Sequence, residues 1–235
     1  MDNNNSTNRS GNIIDNTQAK LQRLKNFSGT MISERAYNLI IGATLLWGIA
    51  VNIVMALTMK DMLLGLHPAI VIIVYLVGSL GCSFILYRTK NPAVSFAAFT
   101  GLAICMGLIL TYIVSMYRLG TVSLAFELTA IITVAMMILG TLFPNFFLSI
   151  GGALSISLLL AIIVDVVAGL IFHLNMGVLD YVIVIIFSGF VGYDWAKAQA
   201  YPKNTVNAIA SASDIYVDVV NIFIRLLSIL GKKDN

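Results

Sequence analysis

Charged residues are scarce in this chain. Asp, Glu, Lys and Arg together make up 11% of its 235 residues, and 59% of the residues are hydrophobic. Soluble globular domains contain about 25% charged residues, so the composition excludes an ordinary soluble domain, which would lack the polar surface that water requires. The mean hydropathy of +0.92 indicates instead that most of the chain lies in a lipid bilayer.

Cysteine and histidine are rare as well, with two of each in the chain. Cys82 and Cys105 fall inside hydrophobic runs, and their spacing matches neither a metal site nor a disulfide framework, so we interpret them as small packing residues. The sequence has no Gly-rich nucleotide loop, no Ser or Cys nucleophile paired with a membrane His, and no cluster of metal ligands. We therefore expect no catalytic residue, no bound metal and no cofactor.

Seven hydrophobic runs follow a polar segment that lacks the features of a secretory signal peptide. Each run is close to the roughly 20 residues that cross a bilayer core as a helix. The breaks are short, so successive helices are expected to be antiparallel neighbours. The sequence predicts an all-α integral membrane protein with a polar cytoplasmic tail over residues 1–36, a seven-helix membrane domain over 37–231 and a short tail over 232–235. The predicted spans are 37–59, 68–87, 93–115, 122–143, 147–172, 178–199 and 206–230.

Basic residues decide the predicted orientation. With a cytoplasmic N-terminus, the opposite loops contain only Lys60 and Arg118, which is the asymmetry that the positive-inside rule requires. Seven complete spans place Lys232 and Lys233 outside, whereas a re-entrant seventh helix keeps them in the cytoplasm, and both topologies remain open. The net charge of +3 is spread over both ends of the chain and does not indicate a nucleic-acid partner.

The last span carries a stripe of polar residues. Their spacing alternates between four and three, which puts all of them on one face of a helix. We expect this face to turn toward other helices or a narrow aqueous cavity. The alternative is a helix lying on the membrane surface, but such helices usually carry Lys and Arg along the stripe. The stripe consists of Asn207, Ser211, Asp214, Asp218, Asn221, Arg225 and Ser228.

Three aspartates at the predicted cytoplasmic side form the strongest candidate site. Asp214 and Asp218 are one turn apart, so one of them needs a proton or a cationic partner. Asp194 ends the sixth span, and the short turn that follows allows it to reach the other two. Two carboxylates sharing one proton titrate as a unit and can sense pH. The alternative interpretation is a structural aspartate whose charge is balanced by Lys197 or by backbone donors.

The outer half contains a second set of acidic residues. Glu127 lies near the start of the fourth span and Asp165 lies deep in the fifth. Together with Asp214 and Asn221 they mark a predicted ion pathway. The alternative for Asp165 is a hydrogen bond to Ser or Thr on a neighbouring helix. Asn52, in the first span, is interpreted as an interhelical hydrogen-bonding or packing residue.

Small residues recur at four-residue spacing in several spans. Examples are Gly78 with Cys82, and Ala97 with Gly101. In membranes this spacing allows the backbones of two helices to approach closely. The spacing is a packing signal and carries no functional information by itself.

The C-terminal third resembles the bacterial members of the Bax-inhibitor family of small membrane proteins. The resemblance rests on Gly192-Tyr193-Asp194 and on residues 213–227, whose Tyr216-Val217-Asp218 and following Asn and Phe are similar to the family's closing pattern. It covers roughly residues 37–231. The run from 70 to 87 departs from some bacterial members because it contains no acidic residue.

The resemblance implies a seven-helix bundle with the last helix central, in the plasma membrane of a bacterial cell. It also implies a pH-sensitive calcium leak controlled by an aspartate pair, which carries over to Asp194 and Asp218. The family's gate uses a basic residue near the end of the second helix, which corresponds to Arg88. Ca²⁺ is then the permeant ion and not a bound cofactor.

Three functions compete at this stage. The first is a proton-gated cation leak through the aspartate pair. The second is a regulatory protein without transport activity that modulates another membrane protein, such as a protease or a cell-death or stress partner. The third, an intramembrane aspartyl protease, is disfavoured because Tyr193-Asp194 resembles only half of that motif and the Gly-x-Gly-Asp half is absent.

Overall fold

A computed structural model of the protein describes residues 30–171 and 177–231, apart from the side chains of residues 166 and 168–171. Most of the predicted N-terminal tail and the whole predicted 232–235 tail lie outside these residues. The described residues form eight α-helices and no β-strand, which confirms the all-helical prediction. The helices are α1 (Glu34–Thr58), α2 (Lys60–Leu64), α3 (Pro68–Arg88), α4 (Pro92–Val114), α5 (Leu119–Leu142), α6 (Pro144–Ile171), α7 (Gly177–Ala200) and α8 (Thr205–Leu230).

The long helices begin where the sequence offers capping groups. Ser33 Oγ accepts the Ala36 N–H before α1, and the Asn91 side chain accepts the Ala93 N–H before α4. Proline occupies the first position of α3 and of α4, where its missing N–H leaves no hydrogen bond unmade. These signals explain why the predicted spans and the observed helices agree within a few residues.

The short helix α2 was not predicted. We interpreted Lys60 and Asp61 as a break between spans, but they continue into one further turn that ends at Gly65. The residues of α2 are Lys, Asp, Met and Leu, and most of these are good helix formers. The helix therefore ends near the predicted end of the span, at Thr58, and one more helical turn follows a break at Met59.

Six of the described helices are long and apolar enough to cross a membrane. They are α1, α3, α4, α5, α6 over Pro144–Asp165, and α7. The seventh predicted span forms α8, which is long enough at 26 residues but is not among these six. Its polar stripe lowers the apolar character that identifies a span from composition.

Helix α8 packs against α1, α4, α5 and α7. Residues on different sides of it are buried, among them Ile215, Tyr216 and Ile222, each with no exposed surface. A helix lying on the membrane surface would leave one face open, so the surface-helix alternative does not describe α8. Most of the apolar residues of α8 are also covered by protein.

Helix α3 is attached in a different way. It packs chiefly against α4, and only Val71 and Leu86 are buried along its length. The contact depends on small residues, because a Cβ on Gly78 would lie 2.5 Å from Cys105 Sγ and one on Gly101 would lie 2.8 Å from Cys82 Sγ. The packing role predicted for the small residues is confirmed at this interface.

A buried hydrogen bond links α1 to α8 in the middle of the bundle. Asn52 Nδ2 donates to the Tyr216 hydroxyl, and the ring of Phe99 on α4 meets Tyr216 edge to face at 5.4 Å. A Cβ on Gly48 would lie 2.9 Å from atoms of both rings, so glycine is required for this approach. The interhelical hydrogen bond predicted for Asn52 is confirmed.

Candidate functional site

Polar side chains converge where the C-terminal ends of α3 and α7 meet the first half of α8. The Lys197 ammonium is central to this cluster. Its Nζ lies 2.8 Å from Asp194 Oδ1, one turn earlier on α7, and 2.9 Å from Asp214 Oδ2 on α8. One lysine therefore bridges two carboxylates on neighbouring helices, and the short α7–α8 turn makes this approach possible.

The carboxyl groups of Asp194 and Asp218 form the deepest part of this cluster. Their exposed fractions are 8% and 6%, and the two groups are within hydrogen-bonding reach of each other. Asp218 Oδ2 is buried and receives no N–H or O–H from another described residue. A hydrogen bond between two carboxyl groups contains one proton, so the geometry fits a pair that holds one proton between two oxygens.

Tyr87 connects this cluster to α3. Its hydroxyl donates to Asp214 Oδ1, on a residue 127 positions later in the chain. Sequence reasoning missed Tyr87, although it ends a hydrophobic run at the predicted depth of Asp194. A phenol at a span end is also a common interfacial residue, so its position alone did not distinguish a hydrogen-bonding role.

Arg88, the predicted basic residue of the gate, lies elsewhere. Its guanidinium carbon stands 4.9 Å from the centre of the Phe84 ring on its own helix. The structure brings Lys197, and not Arg88, to the carboxylates. Lys197 therefore balances the negative charge of these aspartates, which is the alternative role that the sequence indicated for it.

A cavity of about 210 Å³ adjoins the cluster. It lies between α3, the end of α7 and the first turns of α8, and both Lys197 and Asp214 line it. Tyr201, in the α7–α8 turn, also lines it, and burial raises the pKa of its phenol to about 12. Tyr201 is therefore a neutral hydrogen-bonding group at physiological pH. The remaining lining residues are Leu86, Tyr87, Val206, Asn207, Ala210 and Ser211.

The α7–α8 turn is held against the start of α1. The Tyr37 hydroxyl donates to the Ala198 carbonyl at 3.1 Å and lies 3.2 Å from Ser211 Oγ. Lys203 Nζ stands 4.5 Å from the centre of the Tyr37 ring and donates to the Gln199 carbonyl at 2.7 Å. Burial lowers the pKa of Lys203 from its ordinary value. These contacts support the wall of the cavity from a third helix.

A second ionic cluster occupies the other end of α7 and α8. Arg225 Nη1 lies 2.7 Å from Asp180 Oδ1, and its Nη2 lies 3.3 Å from Asp165 Oδ2. Ser228 Oγ donates to Asp180 Oδ2 at 2.7 Å. Asp180 and Asp194 are about 21 Å apart along α7, so α8 is bound ionically to its neighbours in both of its halves. The partner of Asp165 is arginine, and not the Ser or Thr that we considered.

The other residues of the predicted ion pathway do not gather around a common channel. Glu127 is exposed on α5. Asn221 donates through Nδ2 to the Val217 carbonyl of its own helix. Asp165 faces Arg225, and only Asp214 lies beside the aspartate pair. The described residues thus contain two compact ionic clusters rather than a ladder of free carboxylates.

Comparison with known proteins agrees with this architecture. The family described as Inhibitor of apoptosis-promoting Bax1 matches residues 30–235, which is most of the chain. The chain belongs to this family. The matched residues include all of both ionic clusters, and the family resemblance of the sequence is confirmed.

Individual relatives in this comparison are bacterial. An uncharacterized membrane protein of Streptococcus pyogenes serotype M3 is 32% identical over 156 residues, which is 62% of this chain and 66% of that protein. The uncharacterized protein YrjE of Lactococcus lactis is 26% identical over 154 residues, 60% of this chain and 64% of that protein. The matched region thus spans slightly less than two thirds of these relatives. With six apolar helices, the protein is an integral, multi-pass membrane protein.

Proposed function

We propose that the protein is a pH-sensitive cation leak that passes Ca²⁺ and is gated by Asp194 and Asp218. The observation that supports this proposal is the buried carboxyl pair, next to a lysine and a third carboxylate that line a cavity. A pair of carboxyl groups that shares a proton changes its charge when that proton leaves.

Loss of the shared proton is the proposed opening step. Two ionised carboxylates within hydrogen-bonding reach of each other repel strongly in a poorly hydrated site. The single ammonium of Lys197 then faces three negative charges, so the contact between α7 and α8 weakens. The ionised cluster also attracts a cation from the adjoining cavity. Proton binding restores the pair and closes the contact.

The proposed passage is weak and hydrated. Ca²⁺ normally requires six or more oxygen ligands, and the described residues contain no group of three or more His, Cys, Asp or Glu that could hold a metal ion. A permeant cation would therefore keep most of its water and exchange it only briefly for carboxylate oxygens. We propose no catalytic residue and no bound cofactor, with Ca²⁺ only as the permeant ion.

The proposed topology has seven crossings, with α8 as the seventh and central one. A 26-residue helix spans about 39 Å, which exceeds the roughly 30 Å of a bilayer core. Contacts with four of the six apolar helices support a crossing position for α8. The basic residues near the N-terminus favour a cytoplasmic N-terminus, and the bacterial relatives favour the plasma membrane. The aspartate pair then lies near the cytoplasmic side.

Calcium flux into liposomes tests the proposal directly. Purified protein is reconstituted, and flux is scanned from about pH 8 to about pH 5, across the range in which a proton-sharing pair titrates. We expect flux to rise with pH, and Asp194→Asn and Asp218→Asn to flatten this dependence. Asp61→Asn, on the exposed surface of α2, is the matched control and should leave the profile unchanged. A folded wild-type protein that passes no Ca²⁺ at any pH would overturn the leak.

A regulatory role without transport is the second candidate. It is favoured by the absence of a row of free carboxylates among the described residues. Asp165 pairs with Arg225, and Glu127 is exposed on α5. In that case the pH-sensitive pair would change the surface that the bundle presents to another membrane protein, such as a protease. The liposome experiment separates the two, since a regulator passes no ion at any pH.

A further inference from the structure

The interface between α3 and α4 contains two thiols that neither ionic cluster uses. Cys82 lies on α3 and Cys105 on α4, and both are free and half-buried. Each sulfur lies against a glycine of the facing helix, Cys105 Sγ against Gly78 and Cys82 Sγ against Gly101. They are the only cysteines in the chain. Their proximity is a property of the fold, because the residues between them belong to two helices and a sharp turn.

The antiparallel packing of α3 and α4 directs these thiols toward each other. Cys105 lies over Gly78, and Cys82 lies over Gly101, so the two cysteines are offset by about one helical turn, about 5.4 Å. Each Cα–Cβ bond tilts toward the N-terminus of its own helix. Because the two helices run in opposite directions, these tilts reduce the offset between the sulfur atoms. The glycines remove the side chains that would otherwise hold the backbones apart.

This geometry suits a disulfide. Across the interface, a Cβ on Gly78 would lie 3.8 Å from Cys105 Cβ and one on Gly101 would lie 4.0 Å from Cys82 Cβ. Disulfide-linked cysteines have their Cβ atoms about 3.5–4.5 Å apart, so the two helices approach each other closely enough for this bond. No large side chain has to leave, since each sulfur lies against a glycine. Rotation about the two χ1 angles, with a small slide of α3 along α4 that reduces the axial offset, is the movement required to bring the sulfur atoms together.

The surroundings of the thiols define the oxidant that can reach them. Both cysteines are partly exposed and Ile104, next to Cys105, is 44% exposed, on helices that are apolar enough to lie in a membrane. This surface faces lipid, so an agent that reaches the thiols has to dissolve in the bilayer. A quinone combines lipid solubility with the capacity to accept two electrons and two protons.

We propose that Cys82 and Cys105 form a thiol pair that a membrane quinone oxidises to a disulfide between α3 and α4. Two S–H bonds break and one S–S bond forms, and the two protons and two electrons convert the quinone to its hydroquinone. The disulfide covalently fastens α3, the helix that packs chiefly against α4 and that carries Tyr87 to Asp214. This modification site stands independently of the proposed leak.

The test uses full-length protein in lipid nanodiscs and a short-chain quinone as the oxidant. After oxidation, free thiols are blocked and the protein is cleaved with trypsin without reduction. Arg88 and Lys90 lie between the cysteines, so cleavage separates the two helices unless a disulfide joins them. We expect mass spectrometry to find the α3 and α4 peptides linked, lighter by two hydrogen atoms than their sum and separated by reductant.

The matched control moves one thiol around its helix. The double variant Cys82→Ser and Ser83→Cys keeps two cysteines but rotates one by about 100°. Wild type should form the linked peptide at least about tenfold faster, because its thiols are held at a high effective concentration. Equal rates in the two proteins would overturn the proposal. So would the absence of a linked wild-type peptide after a quinone treatment that fully oxidises free dithiothreitol.

Discussion

Lys197 and Asp214 join the two helices that carry the aspartate pair, with 2.9 Å between Nζ and Oδ2. Because Lys197 also contacts Asp194, it is the cation shared by the two sides of the cluster. The side chains of all three residues are at most 21% exposed, so the ammonium is largely removed from water. The cluster therefore depends on a single positive charge.

Lys197→Gln should destabilise the protein and alter its response to pH. Removal of one partner from a buried ionic contact leaves uncompensated charge, at a cost of about 3 kcal/mol. We expect a lower midpoint of thermal unfolding in detergent and, in liposomes, a cation flux that is higher near neutral pH. Lys90→Gln, at an exposed position, is the control. An unfolding midpoint equal to that of the control would contradict the bridging role of Lys197.

Tyr87→Phe should weaken the attachment of α3 to the cluster. The substitution removes only the hydroxyl that donates to Asp214, so the expected loss is about 1 kcal/mol of unfolding free energy. Hydrogen exchange at the C-terminal end of α3 is expected to increase. Tyr75→Phe removes a hydroxyl elsewhere on the same helix and should leave that exchange unchanged. If both variants behave alike, the hydrogen bond does not hold the helix end.

The Arg225 cluster can be tested by removing its single cation. Arg225→Gln leaves Asp165 and Asp180 without their cation, and we expect a loss of about 2 kcal/mol in unfolding free energy, less than for a fully buried pair because the Asp165 side chain is 43% exposed. Arg225→Lys should recover only part of this, because an ammonium lacks the planar fork that reaches two carboxylates. Adding Asp180→Asn to Arg225→Gln should restore stability relative to Arg225→Gln alone, measured by thermal unfolding. An additive loss in the double variant would argue against direct pairing.

Two glycines on α1 provide a matched test of the packing around Tyr216. In Gly48→Ala the new Cβ would lie 2.9 Å from atoms of Phe99 and Tyr216, and overpacking of this kind costs about 1–3 kcal/mol. In Gly42→Ala the new Cβ meets nothing within 4 Å, and loss of glycine from a helix stabilises by about 0.5–1 kcal/mol. Thermal unfolding of the two variants should therefore shift in opposite directions. Shifts of the same sign would contradict the close contact at Gly48.

Alkaline pH should destabilise the protein partly through Tyr201. Burial raises the pKa of this phenol from 10.0 to about 12, so the folded state keeps a proton that the unfolded chain releases. The contribution of this protonated phenol to the stability of the folded state is complete below pH 10.0 and is lost as the pH rises through about 12. Tyr201→Phe, which cannot ionise, should lose less stability than wild type over this interval when unfolding is followed by circular dichroism. Parallel pH profiles for the two proteins would show that Tyr201 does not contribute.

Much of the fold could be predicted because membrane helices are encoded locally. Hydrophobic runs of about 20 residues and their Pro, Gly or Asn breaks indicate where each helix begins and ends. The alternating spacing of polar residues indicates one face of α8, and the short turn before it brings Asp194 near Asp218. The number of membrane spans could be predicted less well. The polar stripe that indicates the candidate site on α8 also lowers the hydropathy by which a span is recognised.

The partners of the charged residues could not be predicted in the same way. Arg88 is near Tyr87 in sequence, yet it turns toward Phe84 while Tyr87 turns toward Asp214. Adjacent residues on a helix point about 100° apart, so the rotation of α3 about its axis selects the residue that reaches the cluster. That rotation follows from the packing of Gly78 and Gly101 against the two cysteines.

The sequence by itself determined that this protein is helical, where its helices lie, that it resides in a membrane, and which aspartates occupy one face of the last helix. These properties depend on hydrophobicity and helical periodicity, which act over neighbouring residues. Only the tertiary structure decided that Lys197 bridges Asp194 to Asp214, that Arg225 pairs with Asp165, and that Glu127 belongs to neither ionic cluster. These contacts depend on how helices distant in sequence rotate and approach, and that is set by packing across the whole bundle.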